Sequence, residues 1–149
     1  MDSAEHVVNH QKILRVGDSY IAISGPTSTK LALKDFFANA ENRDFSDVDA
    51  IYRTWLRLHE ALKTTYFLSA RDDDAPSFES SRFDAVIANP NGIFGIAAHR
   101  AVQQFTKFYA YGSGSLSALG AMYALYRQAA YSAEDIARIA IEAAARLRL

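Results

Sequence analysis

The stretch Phe83-Asp84-Ala85-Val86-Ile87-Ala88-Asn89-Pro90-Asn91-Gly92-Ile93-Phe94-Gly95-Ile96-Ala97-Ala98 decides the fold class. Two apolar runs, residues 83–88 and 93–98, flank Asn89-Pro90-Asn91-Gly92, and Asn-Gly between such runs is a strong hairpin signal. Neighbouring strands joined this way run antiparallel, which argues against a doubly wound parallel sheet. Upstream, residues 71–81 carry Asp72, Asp73, Asp74 and Pro76 and read as a solvated surface loop. Before them, Ser46-Asp47-Val48-Asp49 reads as a capping box opening a long helix, with Ile51, Trp55, Leu58 and Leu62 at helical spacing.

Further out, residues 39–45 form a polar connector, and an earlier helix capped by Thr27 or Ser28 turns Leu31, Leu33, Phe36 and Phe37 inward. The first elements are Lys12-Ile13-Leu14-Arg15-Val16 and Tyr20-Ile21-Ala22-Ile23-Ser24, a second hairpin joined by Gly17-Asp18-Ser19 and closed by Gly25-Pro26. Downstream, residues 102–111 read as a strand in their second part, where Phe105 alternates with Lys107 and Tyr109. Gly112-Ser113-Gly114-Ser115 then turns the chain into an Ala- and Gly-rich, closely packed helix over residues 116–128. Ser132-Ala133-Glu134-Asp135 is a second capping box, and Ile136, Ile139, Ala140 and Ala143 make the inner face of a last helix. The order ββ, αα, ββ(β), αα predicts a layered α+β fold. No internal repeat or inner linker divides it, so one domain over residues 1–149 is expected.

Composition narrows the function. The chain has 149 residues, net charge −1 and no cysteine; 50% of it is hydrophobic, 12% aromatic and 22% charged. That length buries about 68–70% of the unfolded surface. Near-neutral charge argues against a partner held by bulk electrostatics, such as a nucleic acid or an anionic membrane. The missing cysteines exclude disulfides, thiolate metal sites and cysteine nucleophiles. An acidic, polar start, Met1-Asp2-Ser3-Ala4-Glu5-His6, is unlike a signal peptide, so a soluble cytoplasmic protein is expected. Residues 108–126 carry no charge, which is long enough for a membrane span, but the glycine turn inside them reads better as strand, turn and buried helix.

Few residues advertise chemistry. His6 and His10 stand four apart without a third ligand, and His59-Glu60 lacks the second histidine of a zinc protease motif, so no metal or cofactor is expected. There is no Gly-x-Ser-x-Gly nucleophile elbow. The Gly112–Ser115 turn lacks a phosphate-loop lysine, and a structural turn is the plainer reading. Lys12 shares a strand face with Leu14 and Val16, so its stem belongs in apolar surroundings where desolvation lowers a lysine's pKa. The alternative is an edge lysine whose ammonium reaches water.

Taken together, these segments resemble proteasome β-type subunits and the HslV peptidase, most closely the small bacterial proteasome-homologue subgroup. The resemblance rests on Gln11-Lys12-Ile13-Leu14-Arg15-Val16 with Tyr20-Ile21-Ala22-Ile23-Ser24-Gly25, on Tyr109-Ala110-Tyr111-Gly112-Ser113-Gly114-Ser115 followed by Ala118-Leu119-Gly120, and on Ser132-Ala133-Glu134-Asp135-Ile136-Ala137 leading into Ala140-Ile141-Glu142-Ala143-Ala144. It implies an αββα N-terminal-nucleophile hydrolase fold, here truncated at both ends. It also implies a threonine-type endopeptidase whose N-terminal threonine attacks peptide carbonyls with its own amine as base.

Three site residues follow from it: Lys12 lowers the nucleophile's proton affinity, Ser113 hydrogen-bonds near its amine, and the Ala22 backbone N–H supplies an oxyanion donor. The implied partners are other copies of the chain in a homo-oligomeric ring, unfolded polypeptide substrate and an ATPase unfoldase. The departure is that the threonine, and the aspartate that pairs with the lysine, would lie ahead of Met1. The strands the family carries after Leu149 would complete the second central sheet. The remaining sheet is therefore expected to show an uncovered apolar face, and the 149-residue chain to be inactive. The competing readings are a non-catalytic ring-forming structural subunit and, last, a small-ligand domain using the Gly112–Ser115 turn.

Overall fold

The computed structural model describes residues 11–68, 83–97 and 100–147, so the expected 71–81 loop and His6, His10 and His99 lie outside the described residues. The elements run β1 (Ile13–Val16), β2 (Ser19–Ser24), α1 (Thr27–Ala38), a single 3-10 turn (Ala40–Asn42), α2 (Val48–Thr64), β3 (Asp84–Asn89), β4 (Gly92–Ala97), β5 (Ala101–Phe105), α3 (Ser115–Leu125) and α4 (Ala133–Arg146). They divide into two compact units, residues 1–104 and 105–149.

The first unit is built on a five-stranded sheet in sequence order, β1-β2-β3-β4-β5. Antiparallel pairing of Val16 with Ser19 leaves Gly17-Asp18 as a two-residue turn, and Gly17 supplies the positive φ of +63° that the turn requires. The decisive hairpin forms as the sequence indicates: Asn89 pairs with Gly92, leaving Pro90-Asn91 at the tip. Asn89 also ties the two hairpins together, its Nδ2 donating to Ser19 Oγ and to the Phe45 carbonyl, each at 3.0 Å. Buried polar groups paired in this way avoid the desolvation cost that an unpaired amide would bring.

Alternation along the strands sends Ile21, Ile23, Ala85, Ile87, Phe94 and Ile96 to one face, where they are buried. Leu33, Phe36 and Phe37 of α1 and Ile51, Trp55, Leu58 and Leu62 of α2 join them in one core. Trp55 is sealed, and truncating so large a buried ring costs roughly 3–5 kcal/mol. The helix starts differ from expectation. Pro26 occupies the N-cap of α1 with no side-chain hydrogen bond, since its fixed φ already leads the chain into the first turn. Asp47 alone caps α2, accepting from the Ala50 N–H at 2.8 Å, while the Ser46 hydroxyl donates to Asp44 instead. Leu31 points outward at 53% exposure, because Lys30 and Leu33 take the inner positions that spacing had given it.

The other face of the sheet carries Ile13, Arg15, Tyr20, Ala22, Val86, Ala88 and Ile93. Ile13 and Tyr20 remain 57% and 49% exposed, so a run of apolar side chains there meets water. Cation–π contact with Tyr20, 5.4 Å from Arg15 Cζ to the ring centre, is part of that surface.

The second unit is a helical hairpin. The strand expected in the second part of residues 102–111 is instead in the first part and ends at Phe105. Residues four apart in an extended strand lie roughly 13 Å from each other. Phe105 and Tyr109 instead stack face to face with ring centres 4.2 Å apart, so the chain has already turned. Ala118 and Met122 of α3 pack on Ile136 and Ala140 of α4. The helix α3 is not wholly buried, as Leu116 and Tyr123 stand 77% and 79% exposed. At the start of α4, Ser132 and Asp135 form the reciprocal capping box that the sequence indicates. No helix of the described residues is long and apolar enough to cross a membrane.

Candidate active site

Lys12 and Ala22 lie in the first unit and Ser113 in the second. Lys12 directly precedes β1, and its side chain is exposed, as the edge-lysine alternative has it. Its backbone is held firmly: the Lys12 carbonyl accepts from the Ile23 N–H at 2.8 Å. That bond fixes the direction of the next amide. Successive residues of a strand send their N–H groups to opposite neighbours, so the Ala22 amide faces β3, opposite Val86. A donor directed into the ladder is not free to meet a developing oxyanion. Gly25 lies just past the last ladder pair, Ser24 with Asp84.

Ser113 is exposed in the turn that opens α3. Gly112 holds φ at +114°, which disfavours a side chain. Gly114 is required by packing, because a Cβ there would stand 2.6 Å from Ala144 Cβ and 2.9 Å from the Ala144 carbonyl oxygen. Both glycines are accounted for by the turn and the close approach of α4. The turn's geometry thus follows from structure, and Ser113 within it is exposed.

Two features of the first unit escape sequence reasoning. His59 is buried on α2 with Nδ1 3.2 Å from Arg100 Nη1, and a guanidinium only donates, so His59 accepts there as the neutral ring. Burial first, then the charges of Arg100 and Lys63, push its pKa down to about 4. Among the described residues His59 Nε2 and Arg100 Nε are buried without a partner, and Arg100 adopts a φ of +60° that non-glycine residues rarely take. Position 59 falls four residues after Trp55, so periodicity marks it as inward-facing, but nothing in the sequence links it to Arg100. The second feature is Lys30 on α1, only 9% exposed beside a cleft along β1. Elsewhere, Tyr66 donates to Asp35 Oδ2 at 2.6 Å, and this bond, burial and the Asp35 charge together push the phenol up to about 12. Among the described residues no group of three or more His, Cys, Asp or Glu side chains could hold a metal ion.

No family model and no curated protein matches this chain. Solved structures do. BPH of Thiobacillus denitrificans in complex with epoxomicin is 51% identical, over 99% of this chain and 77% of that one, with a TM-score of 0.86. A second structure of the same BPH is 53% identical, over 98% of this chain and 76% of that one, also with a TM-score of 0.86. HslV from Trypanosoma brucei, at 22% identity over 89% and 71% of the two chains and a TM-score of 0.58, shares the fold. With half its residues identical to a bacterial proteasome homologue over nearly its whole length, and with an N-terminal-nucleophile-hydrolase-like fold, the chain belongs to the proteasome/HslV-like family.

Proposed function

We propose that this chain is a subunit of a ring-shaped threonine-type endopeptidase that degrades unfolded polypeptides. The observation that carries the reading is the likeness to BPH at 51% identity and a TM-score of 0.86, which leaves little room for a different architecture. In this reading residues 1–149 form a single proteasome-subunit-like domain with αββα layering, located in the cytoplasm. The open face bearing Ile13 and Tyr20 lies against the second sheet. In this reading Lys12 lowers the proton affinity of a threonine and Ser113 hydrogen-bonds near its amine. The oxyanion donor in this reading is a backbone N–H at the end of β2, and Gly25, past the last ladder pair, is the candidate. The ring is a homo-oligomer, and an ATPase unfoldase delivers its substrate.

The 149-residue polypeptide by itself hydrolyses no peptides. Supporting groups cannot replace an attacking oxygen, and loss of the nucleophile leaves only binding and oxyanion stabilisation. The exposure of Lys12 favours one further reading, a non-catalytic ring-forming subunit.

Hydrolysis of fluorogenic peptides and unfolded casein tests the assignment. The 149-residue chain is inert, whereas a natural chain carrying a threonine ahead of these residues turns over, and Lys12→Ala abolishes that turnover. Hydrolysis by the 149-residue chain that disappears in Ser113→Ala would make Ser113 the nucleophile and overturn the threonine assignment. A threonine-bearing chain that stays inert would leave the structural-subunit reading standing.

A further inference from the structure

β5 is the last strand in the sheet order, so among the described residues backbone pairing reaches it from one side only, through β4. Its side chains hold it loosely: Val102 packs partly on the core, while Ala101, Gln103 and Gln104 are exposed. Near its far end the Gln104 amide reaches the Asn91 carbonyl over a long 3.4 Å. Immediately ahead of the strand stands Arg100, whose guanidinium donates to His59 Nδ1 at 3.2 Å. That contact ties the start of β5 to the inner face of α2, where His59 is 6% exposed.

The tie is held against several unfavourable terms. Arg100 takes a φ of +60°, which a residue with a Cβ adopts only under constraint. With Nδ1 accepting, the imidazole proton sits on Nε2, and among the described residues neither that N–H nor Arg100 Nε–H has an acceptor. Phe83, just ahead of β3, turns a ring toward His59 edge-on and brings no charge. The charged groups acting on the imidazole are Arg100 across the contact and Lys63 one turn along α2, both cations. Among the described residues no carboxylate is paired with His59 or Arg100. The contact therefore depends on one lone pair. A proton on Nδ1 turns the acceptor into a donor aimed at another donor and sets two cations against each other.

We propose that the Arg100–His59 contact is an acid-releasable latch on β5: closed, it pins the start of the strand to α2, and a proton on His59 Nδ1 frees Arg100 from its strained backbone so that β5 opens from β4. The low pKa of His59 agrees, because the closed latch refuses the proton that the open one accepts. β2 and β3, paired on both sides and covered by the core, stay together when β5 opens. The inference does not rest on the peptidase reading.

Hydrogen exchange of the 149-residue chain in low urea, read by mass spectrometry as protection at one fixed protein concentration, tests it. In the parent, β5 amides exchange faster than those of β2 and β3 and with little dependence on urea, the mark of a local opening. Between about pH 7 and about pH 5 the β5 opening constant rises by at least roughly tenfold. It stays level in His59→Gln, which keeps an acceptor for Arg100 and takes up no proton. At pH 7 His59→Leu and Arg100→Met, which remove the acceptor and the donor, each raise it by at least roughly tenfold. β5 exchanging only together with β2 and β3, at one rate and one urea dependence, overturns the latch. So does a parent whose β5 responds to acid no more than that of His59→Gln, a comparison that decides alone if His59→Leu or Arg100→Met fails to fold.

Discussion

Lowering the pH should destabilise this fold through one buried ring. His59 keeps a pKa of about 4 in the folded chain because burial and the neighbouring Arg100 and Lys63 disfavour its charged form. In the unfolded chain it returns to about 6.5. Above the unfolded value the ring is neutral in both states and contributes no pH dependence. Below it the unfolded state takes up a proton that the folded state refuses, so stability falls as pH drops through the window from 6.5 toward 4. Between about pH 7.5 and about pH 5 the loss amounts to about 2 kcal/mol from this residue alone, rising to about 3 kcal/mol at the lower end of the window.

The assay is urea unfolding at both pH values and at one fixed protein concentration, for the parent and for His59→Gln. That variant is neutral at every pH and offers Arg100 an amide oxygen in place of Nδ1. The parent loses about 2 kcal/mol more than His59→Gln across this interval, as the difference of two differences. Equal losses in the two proteins, or a His59 ring that titrates near its ordinary value by NMR, would refute the buried neutral histidine.

Other outcomes follow from packing and capping. Gly114→Ala puts a methyl group against Ala144 and destabilises the helical hairpin by roughly 1–3 kcal/mol, seen as a lower thermal midpoint. Gly120→Ala, with nothing within 4 Å of the added carbon in the interior of α3, stabilises by up to about 1 kcal/mol in the same measurement. Asp47→Ala removes the only side-chain cap of α2 and costs about 1 kcal/mol, whereas Ser46→Ala costs distinctly less, by denaturant titration.

Local rules carried the sequence reading far. Turn residues between apolar runs, Pro90-Asn91 ahead of Gly92 and Gly17-Asp18, mark chain reversals by local conformation, so both hairpins were legible. Alternation along each strand turns Ile21 and Ile87 to the same face, but the pairing of β2 with β3, across two intervening helices, has no local signal. Ser132 and Asp135 cap α4 as spacing indicates, since a capping box needs only its own four residues. Failures came where distant chain decides. Leu31 matches the inner spacing of α1 but loses its place to Lys30, whose stem fills the flank of the β1 cleft. The second part of residues 102–111 has strand composition, yet the stacking of Phe105 on Tyr109 replaces extension. In the candidate site, residue identity could suggest Ala22 but not the direction of its amide, which depends on the pairing of β2 with both neighbours. The His59–Arg100 contact joins residues 41 apart and left no local trace.

The central claim is that these residues form a proteasome-type subunit, whose exposed Ile13, Tyr20, Leu116 and Tyr123 are surfaces meant to be covered. Native mass spectrometry of the purified chain at micromolar concentration tests it most directly. The account predicts one discrete, closed multiple of the 16.5 kDa subunit, with Leu116→Glu or Tyr123→Glu shifting the population toward smaller species. A single stable species at 16.5 kDa, unchanged by either substitution, would contradict it.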